Sequence, residues 1–294
     1  FGARFNEHWN VVHDWTETIE GIADFRGSKY VQSTIGNTYR EAKEFLQQDR
    51  YVLFSGTPCQ IAGLKNFLRK KYDKLLTIDI VCHGVPSPLV WNIYLDEIRD
   101  HLAISRLTMI KDISFRNKRN GWKNYGFYLR YTSSEVHENS ESTAKEEKEL
   151  LQSSKQNVFM QGFLADLYLR PSCYACAVRS GKSHSDITIG DFWGIQKYYP
   201  EFDDDKGIGL ILINSEKGKC AYDISGIHHI ETTYEQGLFG NPCLEHSSVQ
   251  PNDRKIFWQK FPINKFESVH QLCKKRTPSF AKRVLKKIKS MLSL

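Results

Sequence analysis

Nothing in these 294 residues amounts to a run of about 18 apolar side chains, so the sequence holds no helix built to cross a bilayer. It also lacks a secretory signal and an initial Met. The opening Phe1-Gly2-Ala3-Arg4-Phe5 reads as mid-strand sequence, as expected of a piece of a longer chain. There is no internal repeat. Cysteines number seven, an odd count that fits poorly with a secreted disulfide scaffold of this length and points to a reducing compartment, the cytoplasm by default. A basic groove interleaved with aromatics is missing too. The net charge of +7 is concentrated between Lys274 and Lys289, where the only aromatic is Phe280, and the rest of the chain is close to neutral. No nucleic-acid partner is therefore expected. What is present, 40% hydrophobic and 26% charged residues, suffices for a buried core in one large domain or two modest ones.

The pattern along the chain is that of an α/β fold: a mixed sheet with flanking helices and an antiparallel hairpin insertion. A short strand over residues 10–13 leads to a helical stretch over 16–25, then a loop, Arg26-Gly27-Ser28-Lys29-Tyr30-Val31-Gln32-Ser33. A helix is expected over residues 38–48 from the spacing of Tyr39, Ala42, Phe45 and Leu46. The apolar run Tyr51-Val52-Leu53-Phe54-Ser55 suits a buried parallel strand; it ends in Gly56-Thr57-Pro58-Cys59 and passes into a helix over 60–71. A second such strand, residues 75–81, ends at Cys82-His83-Gly84, and Pro86 and Pro88 introduce a helix over 90–101. This is a βαβ unit with an expected right-handed crossover. Residues 113–115 and 125–131 alternate like an antiparallel pair. The Glu-, Lys- and Ser-rich residues 133–156 read as a mobile, solvated insertion or a poorly packed helix. A helix over 159–169 and strands over 186–190 and 208–214 follow.

Four cysteines stand out by context. Cys173-Tyr174-Ala175-Cys176 is a loop pair that lets two thiolates chelate one centre, while Cys59 and Cys82 follow the ends of two parallel strands, where ligands of open α/β sheets collect. Three readings fit two plus two thiols: a 4Fe–4S cluster, whose ligands come from separate loops; a four-cysteine zinc site, which usually draws on two Cys-x-x-Cys knuckles where this chain has one; or structural cysteines. Cys220, Cys243 and Cys273 have no partner motif and read as ordinary thiols, and His228, His229 and His246 lack metal-ligand spacing. Gly56 to Gly63 is not a phosphate-binding P-loop, because the glycines stand too far apart and Asn66 occupies the place of a hydroxyl residue. His83, beside a candidate ligand, reads as a hydrogen-bonded structural residue rather than a proton relay, and Phe192 and Trp193 as core aromatics.

The residues flanking these cysteines carry a resemblance. Phe54 to Leu64, Asp79 to Pro88, Arg26 to Ser33, Arg170 to Cys176 and Ser185 to Gly194 resemble the C-terminal domain of the coenzyme F(420) hydrogenase/dehydrogenase beta-subunit family. The likeness covers residues 1–219 and fades afterwards. It implies an iron–sulfur flavoprotein oxidoreductase that passes electrons between a 4Fe–4S cluster and a flavin, FAD rather than FMN, while reducing or oxidising a small molecule. By the same resemblance Cys59, Cys82, Cys173 and Cys176 hold the cluster. Ser28, Lys29, Gly56, Thr57, Pro58, Gln60, Asp191 and Trp193 are the candidate flavin contacts, with the Gly56-Thr57-Pro58 turn expected to offer backbone N–H groups. A ferredoxin-like domain or protein is the implied electron partner. The rival reading is a non-catalytic binding module stabilised by zinc on the same four cysteines. The expected division is an oxidoreductase domain over 1–219, an extension over 220–277 and a basic amphipathic helix over 278–294, suited to the inner membrane surface or an acidic partner.

Overall fold

In the computed structural model the described residues are 1–134 and 145–276. A small hairpin, β1 (Gly2–Phe5) and β2 (Val11–Asp14), precedes α1 (Thr38–Gln47). Next come β3 (Val52–Gly56), α2 (Pro58–Leu68), β4 (Leu75–Ile80) and α3 (Pro88–His101). Strands β5 (Ile110–Asn117), β6 (Gly126–Ser134) and β7 (Lys145–Ser153) form an antiparallel sheet that leads to α4 (Val158–Leu164). The chain continues through β8 (Ile187–Asp191), α5 (Ile195–Tyr198), β9 (Gly209–Ile213), α6 (Glu216–Asp223), α7 (Tyr234–Phe239) and α8 (Asp253–Arg276), the last kinked by non-helical backbone at Lys265. The central sheet has the order β3-β4-β8-β9, with the first three strands parallel and β9 antiparallel, so the expected α/β class with a mixed sheet holds.

Three local expectations differ from the structure. Residues 16–25 are not an α-helix: only a 3-10 helix at Glu20–Phe25 forms, with no buried residue. The hydroxyls of Thr16 and Thr18 accept hydrogen bonds from the N–H groups of Thr18 and Gly21, and Ile19 and Ile22 stay exposed, so local side-chain bonds replace a helical ladder that has nothing to pack on. The helix expected over 159–169 stops at Leu164, because Asp166 takes a left-handed conformation (φ 59°). Part of the supposed solvated insertion is β7, paired with β6 from Gly126↔Ser153 onward. Its polar composition is accommodated by partners on β6 and on the loop before it: the Tyr128 hydroxyl and Arg119 each donate to Glu149 at 2.7 Å, and Arg130 donates to Glu147 at 3.2 Å. Residues 135–144, and the basic helix expected over 278–294, lie outside the described residues. Among the described residues no helix is long and apolar enough to cross a membrane.

The main core is aromatic. Trp91 and Tyr94 of α3, Phe115 and Phe127 of the antiparallel sheet, Phe159 of α4 and Phe257, Phe261 and Phe266 of α8 are all buried in one cluster. A second core packs Ala42, Leu46, Ile61 and Leu64 of α1 and α2 onto Val52, Phe54 and Leu75.

Between β4 and β8 runs a polar seam. The register is short, Ile78↔Ile187 to Ile80↔Ile189, and joins segments more than a hundred residues apart in the chain. Asp79, only 2% exposed, accepts hydrogen bonds from Ser183 Oγ and Thr188 Oγ1, each at 2.5 Å. Asp186 accepts from the backbone N–H and the hydroxyl of Thr77 (2.8 and 2.7 Å) and from Ser215 Oγ (2.7 Å). Burial works against the Asp186 carboxylate, but these donors and the nearby Lys65 hold its pKa below the ordinary value. Because buried polar groups cost most when a partner is removed, Asp79→Ala is expected to lower the unfolding free energy by about 2–5 kcal/mol, measured by chemical denaturation. The same change at the exposed Asp49 is expected to have far less effect.

Candidate functional site

Because β3, β4 and β8 are parallel, their carboxyl ends, Gly56, Ile80 and Asp191, lie along one edge of the sheet. Gly56 and Asp191 end two of these strands, and Thr57, Pro58, Cys59, Gln60 and Cys82 follow closely in the chain. Cys59 sits in the first turn of α2, exposed, with its sulfur 3.2 Å from the Thr57 hydroxyl. Cys82 follows β4. The loop after it is zipped to the second cysteine pair: Pro86 bridges Leu169, Arg170 N–H donates to the Val85 carbonyl at 2.9 Å, and a Val85 backbone hydrogen bond reaches Cys173. Gly84 (φ 154°) permits this approach, since a Cβ there would stand 3.3 Å from Cys173 Cβ and 2.8 Å from Leu169. Cys176 N–H donates to Ser247 Oγ at 2.9 Å.

The thiols feel one another. Loss of hydration pushes the Cys82 thiol well above its ordinary range; Arg179 opposes this, and Cys59, Cys173 and Cys243 add to it. Burial likewise raises Cys173, with the Val85 backbone opposing and Cys59 and Cys176 contributing. Three distant stretches of chain thus bring all four candidate cysteines into one electrostatic neighbourhood. Cys243, read from sequence as an ordinary thiol, joins it. Arg179 fastens the surroundings by donating to the carbonyls of Cys82 and Cys243 and, at 3.3 Å, to that of His83. Among the described residues no three His, Cys, Asp or Glu side chains stand as a group able to hold a metal ion, so the thiols are neighbours rather than a closed cage. Their chemistry still suits a soft metal centre: ionisation of Cys82 and Cys173 is costly without a cation, and a bound cation removes that cost.

A strap formed by residues 26–34 runs along the same edge. Thr34 bridges Val12, Gln32 N–H donates to the Pro86 carbonyl at 3.0 Å, and Ser33 Oγ accepts from Gln60 Nε2 at 2.7 Å. Tyr30 packs on Phe163 and Phe115. Ser28 is exposed, and Lys29 turns back to donate to the Arg26 and Gly27 carbonyls; its partial burial lowers its pKa to about 8, with Asp24 opposing. The Gly56-Thr57-Pro58 turn, limited by Pro58 as the sequence implies, loses a further donor in the structure. Gln60 Oε1 takes the Thr57 N–H at 2.9 Å in a capping box, and Pro58 has no N–H.

At the β8 end, Asp191 pairs with Arg116 of β5, a residue unmarked in the sequence. The guanidinium lies over the rings of Tyr125 (4.6 Å) and Trp193 (5.2 Å), and Trp193 stacks on Trp122 with ring centroids 4.5 Å apart. Desolvation raises the Tyr30 phenol to about 12 although Arg116 opposes it. His83 bonds Asp166 at 2.6 Å, so the hydrogen-bonded role expected of it agrees with the structure.

The family model for the C terminus of the coenzyme F(420) hydrogenase/dehydrogenase beta subunit matches residues 49–233. The chain belongs to this family. No curated protein matches it. Membership in the coenzyme F(420) hydrogenase/dehydrogenase beta-subunit family assigns the chain to a class of oxidoreductase subunits, and the match spans Cys59, Cys82, Cys173, Cys176 and Asp191, whereas Arg116 falls within it without any local motif.

Beneath the strap lies a chain of neutral hydrogen bonds. His13 Nε2 donates to the Ser55 carbonyl (3.0 Å), which leaves Nδ1 to accept from the Ser33 hydroxyl (2.9 Å). Burial lowers the His13 pKa from 6.5 to about 4, the Ser55 bond opposing. Between those values the unfolded chain takes up a proton that the folded chain excludes, so stability falls as pH drops from 6.5 towards 4. Thermal melts across this window are expected to show that loss, at most about 1.4 kcal/mol per pH unit from this group, and His13→Gln is expected to flatten it.

Proposed function

We propose that the protein is an iron–sulfur flavoprotein oxidoreductase in which Cys59, Cys82, Cys173 and Cys176 hold a 4Fe–4S cluster beside a flavin, FAD in preference to FMN. What supports this reading is that Cys59 and Cys82 follow the carboxyl ends of two parallel strands while the loop of Cys82 is bonded to that of Cys173 and Cys176, so that three loops bring these thiols within electrostatic reach of one another. When bound, such a pair of groups supplies two-electron exchange with a small-molecule substrate and one-electron exchange with a protein partner.

The chain's own residues prepare the place. Arg179 sets a positive charge beside Cys82 and ties its loop to that of Cys243, favouring the thiolate form that soft metals require. Ser28, Lys29, Gly56, Thr57, Pro58, Gln60, Asp191 and Trp193 border the region proposed for the flavin. The strap joins their two ends, since Ser33 holds Gln60 and Tyr30 neighbours Arg116 and hence Asp191. Neutral His13 keeps the floor of the strap free of charge at physiological pH. The substrate is a small redox molecule, deazaflavin-like among the candidates, and the electron partner a ferredoxin-like domain or protein. The cytoplasm, where thiols stay reduced, is the proposed compartment, with contact to a membrane surface through residues 278–294 as a further element of the proposal.

Anaerobic purification tests the reading. Brown protein with broad absorbance at about 400 nm and about four irons per chain is expected, together with an extractable flavin identified by mass. Serine at Cys59, Cys82, Cys173 or Cys176 is expected to remove most of the iron. Colourless protein that holds zinc and no flavin would replace this proposal with the zinc-stabilised binding module.

A further inference from the structure

Arg116 carries more donors than its partners use. Its Nη1 donates to Asp191, whereas Nε and Nη2 are buried with no hydrogen-bond partner. Those two atoms are not a random pair: they form the side edge of the guanidinium, two parallel N–H groups spaced to match the two oxygens of a carboxylate or phosphate. The side chain is only 12% exposed, and the rings of Tyr125 and Trp193 lie against the guanidinium group. The Tyr30 phenol stands close enough to interact with the guanidinium, yet among the described residues no hydrogen bond of good geometry reaches Nε or Nη2. Buried donors of a charged group are normally satisfied, and a covered fork without an acceptor, set among aromatic rings, becomes satisfied when those rings shift to admit one.

We infer that the side edge of Arg116 is a receptor for an oxyanion, the carboxylate or phosphate of a ligand bound at the carboxyl edge of the sheet. The inference rests on that edge being the ligand site and is independent of the cluster. Asp191 already offsets the positive charge, so recognition comes from the geometry of two aligned donors more than from net charge. Asp191 is thereby a positioning residue: by holding Nη1 it turns the fork away from itself. Trp122, stacked on Trp193, adds another buried donor without an acceptor in its Nε1, which marks this corner as built for acceptor-rich ligands.

Calorimetric titration of the full, anaerobically purified chain with inorganic phosphate, benzoate, FMN and riboflavin separates the sources. If the anion is a phosphate, phosphate or FMN binds, FMN more tightly than riboflavin, and Arg116→Lys, which keeps the charge and loses the fork, weakens binding about tenfold or more. If it is a carboxylate, benzoate binds and shows that same dependence. Riboflavin affinity is expected to be unchanged by the substitution. Arg116→Gln is the second variant, and should it fail to fold, Arg116→Lys alone decides. Equal oxyanion affinities in the Lys variant and the unaltered chain, or no oxyanion binding to the unaltered chain, overturn the inference. Iron content read on the same samples reports the cysteines separately, so either reading can fail without the other.

Discussion

The arrangement depends on the pairing of β4 with β8. Only three residue pairs define it, and they connect parts of the chain more than a hundred positions apart. Hydrophobic side chains alone would leave so short a register poorly specified, because a shift by one residue exchanges the two faces of a strand. Asp79 and Asp186 prevent this. Each is a carboxylate that accepts from hydroxyls on the other side of the seam, and a slipped register would strand both without partners. The pairing in turn fixes the loop of Cys82 relative to the end of β8, so the geometry of the sheet edge inherits the precision of two aspartates.

Along that edge, charge is sorted. Thiols whose ionisation is penalised by burial and by one another stand on one side, with Arg179 as the cation that moderates them. On the other side Arg116 is enclosed by aromatic rings and held by Asp191. Between them the strap contributes polar but uncharged contacts, with Ser33, Gln60 and His13 satisfying one another. That division is what the two proposals draw on, the metal centre at the thiols and the oxyanion at the arginine.

Much of this is legible in the amino-acid order, and for local reasons. The ends of β3 and β4 announce themselves, because an apolar run, a turn and a cysteine follow one another without interruption, and the Cys173/Cys176 pair is visible as a spacing. Other features have no local signature. The partners of Arg116 lie far away in the chain, at Asp191 and Tyr30, so nothing near Phe115-Arg116-Asn117 distinguishes it from any surface arginine in a strand. Strand β7 is composed largely of Lys, Glu, Leu and Gln, residues that suggest a solvated stretch until their cross-strand partners on β6 are known. The reverse error occurs at residues 16–25, where spacing resembling a helix meets no surface to bury. Cys243 joins the thiol group only through tertiary proximity.

The family match ends at residue 233, yet α8 begins at Asp253 and delivers Phe257, Phe261 and Phe266 to the interior of the main aromatic core. Phe261 and Phe266 meet each other edge-on, and Phe266 reaches Tyr94 of α3. The consequence concerns how such chains can be cut and joined. The matched segment is not a transplantable module, since by itself it would present a greasy wound where α8 docks. Any chimera that keeps residues 49–233 has to bring its own cover for that face.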